Sequence, residues 1–129
     1  METYSKEKYP LQDKTYKIIG LCFEVHKILG KGLLEIVYKD ALKLEFQMNN
    51  IPYEREKIYT IMYKGHELKH KFQADFAVYD KVILEVKSCK NLIEDHYSQT
   101  INYLGISKCA IGLVANFGES SLKTKRIVF

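Results

Sequence analysis

Two charged residues stand two positions apart in an otherwise apolar run, Glu85 and Lys87 of the segment 82–87. Side chains alternate along a β-strand, so both charges are expected on the same face. Leaving either charge buried and unpaired would cost several kcal/mol, so this face needs a partner group, a metal ion or water. The segment is therefore the first candidate for a functional site.

A second carboxylate precedes this strand, at Asp75. If residues 79–81 form a hairpin turn, paired positions sum to 160 and Asp75 lies opposite Glu85 on the same face. Two carboxylates and the Val86 carbonyl are hard oxygen ligands of the kind that Mg²⁺ or Mn²⁺ prefers. Lys87 beside them is expected to activate water or stabilise charge on a phosphate. The alternative is a structural Glu–Lys pair on a half-exposed strand, and the residues alone leave both open.

Two helices are expected in the first half of the chain, where apolar residues recur at three- and four-residue steps. The first helix is expected to start near Asp13, with Asp13 as its N-cap, and to end at the glycines that follow position 29. The second is expected from Leu33 to about Met48. Glu35 lies three residues into this second helix, where a carboxylate also compensates the helix dipole.

The period of the apolar residues changes from helical to alternating after Pro52, which predicts strands. The expected strands run from Ile58 to a turn at 65–66, then over 68–78, 82–87, 110–115 and 122–129, the last at a sheet edge. Helical spacing returns at 91–104, with Gly105 as the expected C-cap. The predicted fold class is α/β or α+β, a mixed sheet flanked by helices in the order α-α-β-β-β-α-β-β.

The third helix presents polar groups on one side. His96, Gln99 and Tyr103 are spaced three and four residues apart, so they share one helical face that can look toward the carboxylates. Imidazole, amide and phenol groups suit contacts with a substrate phosphate or base. A tyrosine inside a helix is equally typical of a core residue with its hydroxyl at the rim.

Composition narrows the class of protein. The 129 residues fit a single domain over 1–129, and 47% hydrophobic with 28% charged residues is typical of globular proteins. The absence of a long apolar run and the charged N-terminus predict a cytoplasmic protein with no membrane partner. Three cysteines at irregular spacing (Cys22, Cys89, Cys109) predict neither a disulfide framework nor a metal pair, and all three are expected to be packing residues. The net charge of +4 permits an anionic partner.

Several motifs in one order resemble a known family. Residues 32–38 spell GLLEIVY, a GxxExxY motif, and further motifs follow at 63–65, 74–76, 85–87 and 116–118. The chain resembles the GxxExxY family of the PD-(D/E)XK nuclease superfamily over nearly its whole length. The resemblance implies a restriction-endonuclease-like core in which Asp75, Glu85 and Lys87 match the metal-binding and catalytic triad.

The resemblance also implies roles outside the triad. Glu35 matches the acidic residue that the first core helix contributes, which adds it to the expected metal ligands. Residues 99–103 have the QxxxY form of the RecB-like branch, where Gln99 and Tyr103 would assist the active site and substrate. His26 matches a histidine that some of that branch place on the first helix. Ala74 stands where the family usually has a proline, which is not a ligand.

The sequence thus predicts a Mg²⁺- or Mn²⁺-dependent nuclease that acts on DNA rather than RNA. Phosphate contacts are expected from the cluster at 69–71 and from the basic residues of the last strand. The main alternative is a non-catalytic nucleic-acid-binding or assembly module that retains the fold. A third interpretation is a structural protein whose polar face is satisfied internally. The short chain favours a requirement for a homodimer or a partner protein.

Overall fold

The computed structural model describes residues 11–91 and 94–128, with Phe129 outside this range. The elements are α1 (Gln12–Leu29), α2 (Glu35–Met48), β1 (Tyr53–Tyr59), β2 (Met62–Tyr63), β3 (His66–Glu67), β4 (Phe72–Val78), β5 (Val82–Lys87), α3 (Glu94–Ser107), β6 (Ile111–Asn116) and β7 (Lys123–Val128). This order confirms the expected mixed sheet with flanking helices. Over the described ranges, no helix combines the length and the apolar character needed to cross a membrane.

Five strands form the main sheet, in the order β1-β4-β5-β6-β7. Neighbouring strands are antiparallel except β5 and β6, which are parallel because α3 crosses over between them. The expected three-strand order of β1, β4 and β5 is confirmed, but β1 begins at Tyr53 rather than at Ile58; β7 is the expected edge strand. Strands β2 and β3 form a separate small hairpin between β1 and β4.

A core forms on each face of the sheet. Helices α1 and α2 cover one face, where Tyr38, Phe46 and Leu84 are fully buried. Helix α3 covers the other face, where Ile83 packs in a smaller core. At Gly112 of β6 an added Cβ would lie 2.7 Å from a methyl group of α3, so the glycine allows α3 to approach the sheet closely. The sheet is thus held from both sides.

Strand β4 contributes to both cores. Ala74 packs in the α3 core, whereas Phe76 packs in the core under α1 and α2. Residues two apart in a regular strand share one face, so β4 turns over at Asp75. In β1, Glu56 lies beside this point between two paired residues and has a left-handed backbone with φ 56°. The distortion of both strands is therefore centred on Asp75.

The expected caps of the first and third helices are wrong. Helix α1 begins at Gln12, one residue before Asp13, and Leu11 occupies the N-cap position. Asp13 lies in the first turn, where its charge still opposes the helix dipole. Helix α3 continues through Gly105 to Ser107, because Ile106 packs in the α3 core. The left-handed residue after the helix is Lys108, with φ 66°.

Three other boundaries also differ from the expectation. Helix α2 begins at Glu35, so this residue is the first of the helix rather than the third. Strand β1 ends at Tyr59, and a two-residue turn at 64–65 closes the separate β2–β3 hairpin. Both turn residues have positive φ (50° and 80°), as such tight hairpins require. Strand β4 consequently begins at Phe72, later than expected.

Candidate active site

The β4–β5 hairpin positions the predicted carboxylates. Its ladder runs from the pair Val78–Val82 to the pair Phe76–Leu84, joined by the turn 79–81. The expected register, in which paired positions sum to 160, is therefore confirmed. Beyond Phe76 and Leu84, no further Cα pair continues this ladder in the described part of the chain.

Asp75 and Glu85 come next, and each binds a backbone group of the opposite strand. The Asp75 N–H donates to Glu85 Oε2 at 2.9 Å, and the Val86 N–H donates to Asp75 Oδ2 at 2.7 Å. Backbone N–H groups in a sheet point toward the neighbouring strand, so both carboxylates reach into the gap between β4 and β5. The sequence predicted that Asp75 and Glu85 lie opposite each other on the same face of the sheet. This geometry is wrong, because both side chains point between the strands. The two carboxylates nevertheless meet.

The backbone carbonyl of Val86 belongs to the same arrangement. Within a strand, the N–H and C=O groups of one residue point to the same neighbour. Because the Val86 N–H points to Asp75, its carbonyl is also directed toward β4. Two carboxylates and this carbonyl are hard oxygen donors of the type that Mg²⁺ or Mn²⁺ prefers. The donor set fits the predicted cation.

Glu85 is the most perturbed carboxyl group of the site. Only 5% of the residue is exposed. Its burial, and next the negative charge of Asp75, raise its pKa to about 7. The hydrogen bond from Asp75 and the positive charges of Lys87 and Lys39 act in the opposite direction. A bound cation would relieve the repulsion between Glu85 and Asp75. The raised pKa of Glu85 is therefore a second observation that fits a metal site.

Lys87 ends β5 two residues after Glu85 and is half-buried. Its charge lowers the pKa of Glu85, so the ammonium group lies close enough to interact with that carboxylate. Its backbone carbonyl accepts the N–H of Phe117 at 2.8 Å, which fixes the end of β5 against the chain that follows β6. Lys87 thus lies within electrostatic range of Glu85.

Lys39 is a site residue that the sequence did not predict. Its Nζ lies 3.1 Å from Asp75 Oδ1 and 3.2 Å from Glu56 Oε1, with 12% of its side chain exposed. Burial lowers the pKa of Lys39, but the charges and hydrogen bonds of Asp75 and Glu56 outweigh it and raise the pKa overall. One oxygen of Asp75 is thus held by Lys39 and the other by Val86. Lys39 lies 36 residues before Asp75, so no local spacing in the sequence signals this contact.

Glu35 lies near the end of β5 but apart from the carboxylate pair. Its carboxylate accepts the Ser88 N–H at 3.3 Å, and the Ser88 hydroxyl donates to the Leu33 carbonyl at 2.7 Å. Over residues 11–91 and 94–128, no three His, Cys, Asp or Glu side chains gather closely enough to hold a metal ion. Glu35 therefore approaches the site from its rim, and its contact with a metal, direct or through water, stays a prediction.

The glycine and tyrosine of the GxxExxY motif have a structural explanation. Tyr38 is fully buried, and its hydroxyl donates to the Gly30 carbonyl at 2.7 Å and accepts the Leu33 N–H at 3.1 Å. Gly32 has φ 92°, a backbone conformation that favours glycine. Together these residues fix the loop that presents Glu35 at the start of α2.

The loop after β5 is tied to β6 by one buried side chain. Asn116 is fully buried, and its amide accepts the Cys89 N–H at 3.0 Å and donates to the Cys89 carbonyl at 2.9 Å. A Cβ at Gly118 would lie 2.3–2.7 Å from backbone atoms of Cys89, so glycine is required there. Cys22 and Cys109 are buried as expected. Cys89 is half-buried in this loop, where its backbone packs against Gly118.

His26 lies away from the carboxylates and contacts the chain between β6 and β7. It is 9% exposed, and its Nε2 lies 2.9 Å from the Glu119 carbonyl oxygen, to which it donates. Its ring also packs against Phe117 at a centroid distance of 6.1 Å. This contact joins α1 to the turn between β6 and β7. It gives His26 a structural role.

Helix α3 brings one of its three predicted residues near the carboxylates. Tyr103 stacks on Phe72 with ring centroids 4.1 Å apart. Burial raises the pKa of Tyr103, and the charges of Glu85 and Asp75 raise it further, while a hydrogen bond to Gln99 lowers it. The phenol of Tyr103 therefore interacts electrostatically with both carboxylates and forms a hydrogen bond with Gln99. His96 is half-buried one turn earlier, and its contact with a substrate stays a prediction.

Known proteins share this pattern and this fold. A family model described as the PD-(D/E)XK nuclease superfamily matches residues 12–127. A solved structure titled "Crystal structure of SSO0001" is 19% identical with a TM-score of 0.58, and the match covers 73% of this chain and 50% of that chain. The chain therefore spans half the length of that structure. No curated protein matches this chain at a significant level.

The fold and the family model agree. The mixed five-stranded sheet flanked by helices is a restriction-endonuclease-like fold, and the low identity to the solved structure shows the fold alone. The family match extends over α1 to β7 and includes the hairpin that carries Asp75, Glu85 and Lys87. The chain belongs to the PD-(D/E)XK nuclease superfamily.

Proposed function

We propose that this protein hydrolyses phosphodiester bonds of DNA with the help of Mg²⁺ or Mn²⁺ held by Asp75, Glu85 and the Val86 carbonyl. The observation that best supports the proposal is the entry of two carboxylates into one gap between β4 and β5. A buried like-charged pair is unfavourable unless a cation or a proton compensates it. Membership of the GxxExxY family, a single domain over 1–129 and a cytoplasmic location belong to the same proposal.

The chain's own groups take distinct roles in this proposal. When bound, the divalent cation would polarise a phosphate oxygen and lower the pKa of water. Lys87 orients the attacking water and stabilises negative charge on the phosphate. Lys39 holds Asp75 in its orientation through their 3.1 Å ion pair. Glu35 assists from the rim, and Gln99, Tyr103 and His96 position the substrate.

A second candidate function is a nucleic-acid-binding or assembly module without turnover. Lys39 favours it, because its ammonium group already neutralises Asp75 at 3.1 Å. A site whose charges are compensated by a lysine can be stable without a metal ion. The same module would bind nucleic acid through its basic residues and act with a partner protein or as a homodimer.

Incubation with labelled single- and double-stranded DNA and RNA in EDTA, Mg²⁺ or Mn²⁺ tests the proposal. We expect cleavage of DNA that needs a divalent cation and falls at least about 100-fold in Glu85→Ala, which loses a ligand of the cation, and in Lys87→Ala, which loses the positive charge beside the reacting phosphate. Lys81→Ala is the matched control, since Lys81 is exposed and precedes the opposite end of β5.

Two outcomes would contradict the proposal. One is no cleavage with either cation, together with no rise in the thermal midpoint when Mn²⁺ is added. The other is cleavage that survives in Glu85→Ala and Lys87→Ala at the level of Lys81→Ala. Salt-dependent binding of nucleic acid without cleavage would establish the second candidate function.

A further inference from the structure

A groove leads away from the end of β5 toward the turn between β6 and β7. Its first cavity, of about 720 Å³, adjoins Glu35 and Ser88. A second cavity, of about 460 Å³, shares Lys31, Lys90 and Gly118 with the first. A third, of about 280 Å³, shares two residues with the second and ends at Tyr97. We call these three adjoining cavities, bordered by Lys31, Lys90, Lys123 and Tyr97, the basic groove.

Among residues 11–91 and 94–128, the three lysines of the basic groove form no salt bridge. Lys31, Lys90 and Lys123 are exposed, and none of them takes part in a salt bridge within the described residues. Lys31 Nζ has a single long contact, 3.5 Å from the hydroxyl of Ser120. Their positive charge is therefore available to an anionic ligand.

The acidic residues that line the basic groove are engaged elsewhere. The carboxylate of Glu35 accepts the Ser88 N–H at 3.3 Å. The carboxylate of Glu119 accepts the side-chain amide of Asn116 at 2.8 Å. Both carboxylates point toward protein donors, and the three lysines outnumber the two carboxylates among the lining residues, so the net charge of the lining is positive.

The floor of the basic groove is fixed before any ligand arrives. Gly118 lies against the backbone of Cys89 so closely that no side chain fits between them. Asn116 clamps the same loop through two hydrogen bonds to Cys89. A preformed groove lowers the cost of ordering the protein on binding.

An aromatic ring borders the far end of the basic groove. Tyr97 is half-buried and lines the third cavity with Lys123 and Thr124. The Nζ of Lys125 lies over this ring, 6.0 Å from its centroid. Lysines along a track with an aromatic side chain are typical of sites for single-stranded nucleic acid, where phosphates contact the cations and a base contacts the ring.

We infer that the basic groove binds a single-stranded stretch of nucleic acid that adjoins the phosphate to be cleaved, an inference that rests on the proposed nuclease function. Lys31, Lys90 and Lys123 contact successive phosphates, and Tyr97 contacts a base. A flexible single strand can follow a concave path, whereas a duplex is too stiff to enter it. The groove would therefore favour substrates with a single-stranded segment at the site.

Fluorescence anisotropy with labelled oligothymidine, oligouridine and a DNA duplex tests this inference in EDTA, where cleavage does not interfere. The triple variant Lys31→Ala, Lys90→Ala, Lys123→Ala removes the charge of the groove. Its control, Lys17→Ala, Lys43→Ala, Lys81→Ala, removes the same charge at exposed lysines outside it.

We expect the groove variant to bind single strands at least about tenfold more weakly than the control variant. Its plot of log affinity against log salt should be shallower by about 2, as expected for three lost phosphate contacts to a single strand. Tyr97→Leu should weaken single-strand binding about fivefold or more without changing that slope, because stacking is not ionic. Tighter binding of oligothymidine or of oligouridine would identify the nucleic acid, and either supports the inference.

Equal binding of single strands by the groove and control variants would overturn the inference. Tighter binding of the duplex than of the single strands would also overturn it. The two proposals fail separately, because binding in EDTA does not require the carboxylates. Groove-dependent binding without cleavage leaves the inference standing and removes the nuclease function, whereas cleavage that the groove variant retains in full removes only the inference.

Discussion

The two ends of the β4–β5 hairpin are bonded in different ways. At the turn end, Val78 and Val82 are a regular antiparallel pair. At the open end, the carboxylates of Asp75 and Glu85 accept the backbone N–H groups that carbonyls accept in a regular ladder. The candidate site therefore forms where regular backbone pairing stops. The carboxylates at this end can then interact with Lys39 and with a ligand.

The largest expected effect concerns the loop that follows the open end. Gly118→Ala would place a Cβ 2.3–2.7 Å from the backbone of Cys89, so we expect the free energy of unfolding to fall by about 3 kcal/mol or more. Urea denaturation measures it. Gly20→Ala is the control, because an added Cβ there meets nothing within 4 Å and alanine favours the helix. Equal stability of both variants would show that the loop is not held tightly against β6.

The next prediction uses the pH dependence of the open end. Glu85 has a pKa raised from 4.5 to about 7, first by burial and then by Asp75, so the folded state binds a proton more tightly than the unfolded state. The free energy of unfolding therefore falls as pH rises between these two values, on the order of 3 kcal/mol in all.

Chemical denaturation from about pH 4 to about pH 8 checks this dependence. The variant Glu85→Gln keeps an acceptor for the Asp75 N–H but does not titrate. We expect the stabilities of the wild type and Glu85→Gln to diverge as pH rises and then to stay apart above about pH 7, at which the cost is complete. Parallel plots of stability against pH for the wild type and Glu85→Gln would mean that the surroundings do not raise the pKa of Glu85.

Substitutions of two aspartates, one at each end of the hairpin, should change the free energy of unfolding by different amounts. Asp75→Ala removes the acceptor of the Val86 N–H and the partner of Lys39, so we expect a loss of about 2 kcal/mol in EDTA. Asp80 in the turn has φ 57° and an exposed carboxylate 3.2 Å from Lys57. Asp80→Gly fits this backbone, so we expect a change within about 0.5 kcal/mol. Equal losses in urea denaturation would erase the distinction between the ends.

The smallest expected effect is a change in metal affinity when the ammonium group of Lys39 is removed. The ammonium group of Lys39 occupies one oxygen of Asp75, so Lys39→Met should bind Mn²⁺ about tenfold more tightly, or by about 1.4 kcal/mol. Calorimetric titration measures the affinity. Lys43→Met, one turn later on α2 and exposed, should leave it unchanged. Weaker binding in Lys39→Met would mean that Lys39 supports the metal rather than competing with it.

The parts of the site that the sequence predicted are those that local rules determine. The apolar run at 82–87 marks β5 because its length and composition are typical of a buried strand. The three-residue turn then determines the register that brings Asp75 near Glu85. Both rules act over short distances along the chain, so one sequence is enough to apply them.

The missed features depend on contacts between distant elements. Lys39 reaches Asp75 from a helix that is 36 residues away in sequence, and no short spacing reveals that approach. The left-handed backbone of Glu56 is equally hidden, because glutamate has no preference for it. The expectation that Asp75 and Glu85 share a face assumed a regular β4, and the strand turns over at that residue. Gly105 was expected to end α3, but the packing of Ile106 extends the helix.

The reversal of β4 at Asp75 makes the candidate site depend on the packing of both helical layers. Because Ala74 and Phe76 pack on opposite sides of the sheet, the residue between them is positioned only when both helical layers have docked. A folding intermediate with one layer in place would leave Asp75 free to rotate away from β5. The candidate site is thus complete only when the whole domain has assembled, and partly folded chains are expected to lack it.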